Sequence, residues 1–424
     1  MPTLTPFCGL DFGTSNSTIG TWQNNAPTLA YVENSHLTIP SAIFFDFETA
    51  TPHFGRTAIA HYYNGKDGRL MRALKSVLGT PLMKDKTYIG ANKILFTEVL
   101  GTFIKHLKTQ AENFSQQSIE HVVLGRPVFF IDNNPTADKE AQNTLEQVAK
   151  EQGFKHIEFQ YEPVAAALDY EQHISEEKLA LIIDLGGGTS DFSVIRVSKN
   201  GHNKADRSQD ILSSIGIHIG GTDFDRLFSL AAAMPHLGHG SMMKDAFGIK
   251  EIEVPSPIFR DLATWQKINS LYTPETMHTV KSIQHTAYKK DLLQRLLNLL
   301  ERQEGHKLAD EVEQAKINLT DTIETHLNMA FIEEHLTPTV ARETLNNAIQ
   351  QKTEQLVTTC KQALTLANVT ASQVDSIFFT GGSTAIPTVR QAFLNLFPTA
   401  EIVDGNRFGS VGIGLTLEAH RKFA

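Results

Sequence analysis

Cysteine is almost missing from this 424-residue chain: Cys8 and Cys360 stand far apart in apolar settings. That excludes a disulfide framework and a cysteine-based zinc set, and it suits a reducing compartment. Long apolar runs are missing too. Nowhere do about eighteen apolar residues follow one another, the length a membrane helix needs, and the opening MPTLTPFCGLDF has neither the basic flank nor the apolar centre of a secretory leader. The expectation is a cytoplasmic protein with no membrane partner. No Lys/Arg-rich run occurs and the formal net charge is −9, so no nucleic-acid footprint is present. Low-complexity tracts are also lacking, and with 41% hydrophobic and 20% charged residues the chain can fold as about two ordinary domains.

What is present is a pattern that occurs twice. FCGLDF, STIGTW, PTLAYVE and SAIFFDF read as a hairpin-rich β opening, in which an apolar strand meets Asp11, a glycine and then small hydroxyl side chains. Helical spacing follows over 58–78 and 97–110, then the buried strand HVVLGRPV, then an amphipathic helix, KEAQNTLEQVAKEQGF, stopped by Gly153. IEFQYEPVAAALDYE reads as a strand breaking at Glu162-Pro163 into a small-residue helix. LALIIDLGGGTSDFSVIRV then repeats the opening grammar, which suggests two similar lobes facing one ligand. Residues 234–350 are mostly helical in pattern, interrupted at Gly238–Asp245 and at VPSPIF, and SIFFTGGSTAIPTVRQAFLNLF closes as strand, Gly-Gly bend and helix.

The chemistry of the repeated turns is that of a phosphate cradle. Gly13 and Gly186, Gly187 and Gly188 let backbone N–H groups approach an anion closely, while Thr14, Ser15, Thr189 and Ser190 add hydroxyl donors. Asp11 and Asp184 each end an apolar strand, where a carboxylate calls for a cationic partner; Mg2+, which binds carboxylates and phosphate oxygens while keeping its waters, is the natural one. The bland alternative is a pair of capped β-turns. TGGST, with Gly381, Gly382 and Ser383, offers a third close approach at a helix start. In EQAKINLT, Glu313, Lys316, Ile317 and Thr320 share one helical face, either as a nucleoside contact or as an ordinary surface ion pair. Among seventeen histidines, His236 and His239 have the best metal spacing, but no Cys or carboxylate accompanies them and they read as a surface loop.

GLDFGTSNS, EPVAAALDY, DLGGGTSDFSV, IGGTDFD and FTGGSTAIP, in that order, resemble the nucleotide-binding domain of heat-shock protein 70 (DnaK-type) chaperones, of the actin-like ATPase superfamily. LGRPVFF, MPHLG and FGSVGIGL look closer to short bacterial relatives of the YegD type. The resemblance implies an α/β actin-like ATPase (ribonuclease H-like) fold of two lobes with ATP in the cleft between them. Lobe I would cover 1–173, with a smaller subdomain at about 39–92. Lobe II would cover 174–403, with its core at 174–219 and about 352–403 and a helical subdomain at about 220–351, and 404–424 would return to lobe I. By the same resemblance Thr14 and Ser15 would line the phosphates, with Gly220 and Gly221 among the nucleotide-binding glycines. Lys75 would contact the γ-phosphate and the attacking water; Asp184 and Thr189 would orient that water; Glu162, with Pro127, would couple magnesium to lobe closure. Asp11, Glu162, Asp184 and Asp191 would hold Mg2+ through water, Asp191 also serving a monovalent cation such as K+. Glu313, Lys316 and Thr320 would face the nucleoside.

Three departures shape the expected function. The arginines that sandwich adenine in the family are Ile317 and Ala385 here, the stretch between Asp225 and Glu313 is longer, and no hydrophobic linker or β-rich peptide-binding domain is expected after FGSVGIGLTLEAHRKFA. The expectation is a Mg2+-dependent ATP-binding protein with weak, slow ATP hydrolysis to ADP, signalling lobe closure to an unidentified protein partner. A sugar-type kinase on the same fold and a nucleotide-gated binding protein with little turnover are the alternatives.

Overall fold

The computed structural model describes residues 5–90, 92–199, 201, 207, 209–245, 249–405 and 409–424. Residues 1–4 of the opening stretch and Phe408 of the FGSVGIGL motif lie outside the described residues. Strand β1 (Phe7–Phe12) runs antiparallel to β2 (Asn16–Gln23), which pairs with β3 (Ala26–Leu29) and with the short β4 (Ile39–Pro40). Next come β5 (Ala42–Asp46), β6 (Pro52–Phe54), α1 (Gly55–Tyr63) and β7 (Gly68–Arg72), whose strands form a small sheet of order β6-β5-β7. The hairpin β8 (Lys86–Ile89) and β9 (Asn92–Leu95) follows, then α2 (Phe96–Ser115), β10 (His121–Arg126), α3 (Pro135–Glu151), β11 (His156–Tyr161) and α4 (Glu162–Glu171). The first main sheet has the order β11-β10-β1-β2-β3, with β10 parallel to both β1 and β11.

β12 (Lys178–Leu185), β13 (Ser190–Val197) and β14 (Ile211–Ile217) form an antiparallel meander, followed by α5 (Gly221–Ala232). Hairpin β15 (Met242–Lys244) and β16 (Glu251–Glu253), α6 (Pro257–Leu262), α7 (Pro274–Thr286), α8 (Lys290–Glu301) and α9 (Gly305–Asp321) come next. Then follow hairpin β17 (Glu324–His326) and β18 (Thr339–Ala341), α10 (Arg342–Leu366), β19 (Ser376–Thr380), α11 (Pro387–Leu396), β20 (Glu401–Asp404) and α12 (Ser410–Phe423). The second main sheet is ordered β14-β13-β12-β19-β20, with β19 parallel to β12 and to β20. Both sheets therefore share one arrangement: a three-stranded meander whose first strand carries two parallel strands on its other side. The sequence repeat is a repeat of topology.

By internal packing the described residues divide into two units. One comprises 1–221, 355–384 and 389–424 and contains both main sheets; the other comprises 222–354 with 385–388 and contains α6 to α9. Local chemistry explains the elements. In α8 Leu293, Leu296, Leu297 and Leu300 recur at helical spacing and are buried. Asn134 caps α3 by accepting the Ala137 N–H at 3.1 Å, Pro135 occupies the first turn, and Gly153 follows the helix with φ +91°. In α4 nearly every side chain is buried and the central Ala165, Ala166 and Ala167 are small, so α12 reaches its backbone: a Cβ on Gly414 would lie 1.7 Å from the Ala165 carbonyl oxygen. Among the described residues no helix is long and apolar enough to cross a membrane.

Three elements differ from the periodicity. The helix read over 58–78 ends at Tyr63, because Gly65 turns at φ +67° and 68–72 pair with β5 as β7 instead. Lys75 then falls in a 3-10 turn, Leu74–Val77, rather than on a helix. VPSPIF is not merely an interruption, since Pro257 starts α6 where a missing N–H costs no helical bond. After β19 the Gly-Gly bend enters a 3-10 turn, Gly382–Ala385, and α11 begins only at Pro387.

Candidate nucleotide and metal site

Each of the two matching hairpins carries an aspartate one residue before the end of its first strand. Asp11 pairs with Thr18 across β1 and β2, and Asp184 with Asp191 across β12 and β13, so the turns 13–15 and 186–189 project from the ends of the two sheets. Ser41 fixes the first turn: its Oγ donates to the Gly13 carbonyl at 2.7 Å and its N–H to the Ser15 carbonyl at 2.8 Å. The Gly186 N–H closes the second turn on the Thr189 carbonyl at 2.9 Å. The turns abut. A Cβ on Gly187 would sit 2.1 Å from Ser15 Oγ and one on Gly188 2.7 Å from Thr14 Oγ1, so a side chain at either position would displace the opposite hydroxyl.

Two further glycine pairs join them. The Gly221 N–H donates to the Gly186 carbonyl at 3.0 Å, which brings Gly220 and Gly221 against the second turn. Gly381 adopts φ +81°, a left-handed conformation that favours glycine, and a Cβ there would meet Asp184 Oδ1 at 2.8 Å. Ser383 Oγ donates to the Gly186 carbonyl at 3.3 Å, so Gly381, Gly382 and Ser383 edge the same turn. Four glycine-bearing segments, separated by long stretches of chain, thus meet around 186–188.

Beneath them lies a buried charged cluster. Lys75 Nζ and Glu162 Oε1 make a short ion pair, both side chains nearly withdrawn from solvent. Asp184 and Asp191 are buried and Asp11 half-buried. Burial and then the Glu162 carboxylate push Asp11 up to about 8 against the pull of Lys75, with Asp184 adding to the rise. Burial and Glu162 also push Asp191 up to about 8, although the Val128 N–H donates to its Oδ1 at 2.9 Å and the Thr189 side chain bonds it. Burial, Glu162 and Asp191 drive Asp184 well above the carboxylate range. Burial alone would lower Lys75, but Glu162 and Asp11 outweigh it and hold the ammonium above its ordinary value. The cluster holds more buried carboxyl groups than its lysine can balance, so their charge is disfavoured until a cation joins them. An all-oxygen donor set of that kind fits a hard divalent cation such as Mg2+.

The structure therefore brings together Asp11, Gly13, Thr14, Ser15, Lys75, Glu162, Asp184, Gly186, Gly187, Gly188, Thr189, Asp191, Gly220, Gly221, Gly381, Gly382 and Ser383 within the first unit. Glu313, Lys316 and Thr320 lie on α9 in the second unit, where Lys316 Nζ pairs with Asp225 Oδ1 at 2.7 Å and Thr320 Oγ1 bonds back to the Ile317 carbonyl at 2.7 Å. Sequence reasoning missed Ser41, which braces the first turn with its hydroxyl and its N–H but lies beyond the motif, and Val128, whose N–H no side-chain pattern marks. Arg126 anchors the Val128 segment, donating to the Pro127 carbonyl at 3.0 Å and to the Val128 carbonyl at 3.1 Å.

A family model described as Hsp70 protein matches residues 7–233 and 281–420. The chain belongs to the Hsp70 family, and its fold is the α/β actin-like ATPase fold. The family is one of chaperone-type proteins that bind ATP and ADP, generally with Mg2+. The unmatched 234–280 fall inside the stretch between Asp225 and Glu313 that reads in sequence as longer than the family's.

Proposed function

We propose that this protein binds Mg-ATP at the four converging turns, hydrolyses it slowly, and uses the change in bound nucleotide to alter the relation of its lobes for a protein partner. The meeting of Thr14 and Ser15 with the Gly186–Gly188 backbone beside the surplus of buried carboxylate is the observation that supports this reading most. In it, backbone N–H groups at 13–15 and 186–188 and the hydroxyls of Thr14 and Ser15 hold the β- and γ-phosphates, with Gly220, Gly221, Gly381, Gly382 and Ser383 leaving room for the rest of the nucleotide. Asp11, Glu162, Asp184 and Asp191 hold Mg2+ through water, Asp191 also serving a K+ ion. Bound Mg2+ supplies neutralisation of the phosphate oxygens and a positive charge for these carboxylates. Lys75 leaves Glu162 in part to meet the γ-phosphate. Asp184 and Thr189 orient the attacking water and Asp184 accepts its proton, so catalysis is positioning and charge stabilisation with no covalent intermediate. Glu313, Lys316 and Thr320 contribute to nucleoside binding from α9.

Calorimetric titration of Mg-ATP, Mg-ADP and Mg-GTP followed by a turnover assay tests the reading. Mg2+-dependent binding at one site, with release of phosphate slower than about 1 s−1, the low end of usual turnover, is expected. Absence of saturable binding in the presence of Mg2+ would overturn it.

A further inference from the structure

The histidines with the best spacing in sequence are not where metal-ligand atoms meet. His239 packs its ring against Phe259 at 5.3 Å, and His236 offers its carbonyl to Arg295. Among the described residues, the one set of three His, Cys or carboxylate ligands whose donor atoms all lie within 4.8 Å of one another is Asp46, His53 and His61. The small sheet builds it. His53 on β6 stands opposite Phe44 on β5, and Asp46 is two residues further along β5, so all three project from the same face. Gly55 turns the chain directly from β6 into α1, which lays His61 over that face, its ring stacked on His53 at 3.9 Å and tilted against Phe44 at 5.8 Å.

The carboxylate is already oriented. Asp46 Oδ1 accepts the N–H groups of Glu48 at 2.8 Å and Thr49 at 2.9 Å, and Oδ2 is left 3.9 Å from His61 Nδ1. That separation is too long for a hydrogen bond. His61 Nδ1 is closed off from solvent and has no hydrogen-bond partner, a condition most buried polar atoms avoid. Donors bound tetrahedrally to one cation stand roughly 3.4 Å apart at ordinary zinc bond lengths, so closure by about half an ångström would bring these two atoms to the separation of co-ligands. Lys66 is the neighbouring cation felt by Asp46.

We propose that Asp46, His53 and His61 form a site for a divalent transition cation of the zinc class, apart from the carboxylate cluster around Asp184. Two imidazoles with one carboxylate leave a fourth position to water, and imidazole selects such a cation over Mg2+, which prefers oxygen. The Asx turn at Asp46 holds the ligand that α1 brings His61 to meet. The inference does not depend on the nucleotide reading.

Zn2+ competition against a chromophoric chelator, using the full chain with Mg-ATP in excess to occupy the oxygen-ligand site, tests it. One equivalent of Zn2+ should bind, and Co2+ in its place should give visible absorption bands of a tetrahedral nitrogen and oxygen site. His53→Ala and His61→Ala should each weaken Zn2+ by at least about tenfold, since even outer partners of a metal ligand are worth that much. Asp46→Asn keeps the two N–H bonds of the turn and should weaken it similarly, so loss of binding there is not loss of fold; circular dichroism checks each variant. His121→Ala, which breaks another stacked pair with His156 at 4.2 Å, should change nothing. Failure of the parent to take Zn2+ from the chelator, or unchanged binding in Asp46→Asn and His53→Ala, overturns the proposal, as does loss of the ion on His121→Ala.

Discussion

On the proposed function, Asp184 is the residue at which stability and activity are set against each other. Burial, Glu162 and Asp191 all disfavour its charge in the absence of a cation, so Asp184→Asn should stabilise the metal-free protein by about 1 kcal/mol, the usual gain from relieving a strained functional group. The same change should lower ATP hydrolysis strongly while leaving nucleotide binding largely intact; melting curves without Mg2+ and single-turnover assays check the two halves. A variant that hydrolyses like the parent would remove Asp184 from the mechanism. Ile317 is a large aliphatic side chain left 46% exposed on α9, and the proposed function sets it, with Ala385, in the place of the family's two adenine-stacking arginines. Ile317→Arg with Ala385→Arg should tighten ATP by about 1 to 3 kcal/mol through two cation–π faces less their ordering cost. Calorimetry showing no gain would place the base elsewhere. Cys360 gives a pH signal: burial pushes its thiol up to about 12 from an ordinary 9.0. The folded state then holds a proton that the unfolded state releases, so this stabilisation is complete below about 9 and lost as pH rises towards 12. Alkylation at pH 8.5 should accordingly label Cys360 only after denaturant is added. The aspartates and glycines of the turns were legible in the sequence because strand, Asp, Gly and hydroxyl follow one another along a few residues. Ser41, Val128 and the meeting of Asp46 with two histidines were not, because each depends on which segments the sheets bring side by side.

Elements were legible where periodicity ran uninterrupted, as in α2, α3 and α8, and misread where pairing with a distant strand overrode it. Residues 68–72 carry apolar side chains at spacings compatible with a helix, but β5 offers an unpaired edge and Gly65 and Gly68 weaken any helix there. The 3-10 turn that places Lys75 follows from this, for it starts from Ala73 held at φ +55° immediately after β7. The α4 and α12 contact was visible only as two runs of small residues, whose partner the sequence does not name. At that contact Gly414→Val would drive a side chain into the Ala165 carbonyl, and because both sides are helix backbone neither can yield cheaply. The expected cost is about 1 to 3 kcal/mol, seen as a lower midpoint in thermal or urea unfolding; an unchanged midpoint would mean that the two helices separate there more readily than their packing suggests.

Over the whole molecule, the repeated hairpin was the feature that made the fold readable, since one pattern met twice implied two sheets and the structure gives both the same strand order. The long insert between Asp225 and Glu313 was legible as helical, inside a helical subdomain expected at about 220–351. If the four turns act as one phosphate site, Mg-ATP should slow amide exchange at 13–15, 186–189, 220–221 and 381–383 together, whereas Zn2+ should act over 42–63. Protection of a single turn by Mg-ATP would show that the segments do not share a ligand. The same packing also sets an order of synthesis. Gly9 of β1 lies so close to Leu415 and Thr416 of α12 that a Cβ on it would touch their backbone at 2.4 and 2.3 Å, so the first strand made is covered by a helix translated about four hundred residues later. At ~5–20 residues per second that strand waits roughly 20 to 80 s for its cover, and the opening β-meander spends that interval on the ribosome with one apolar face exposed.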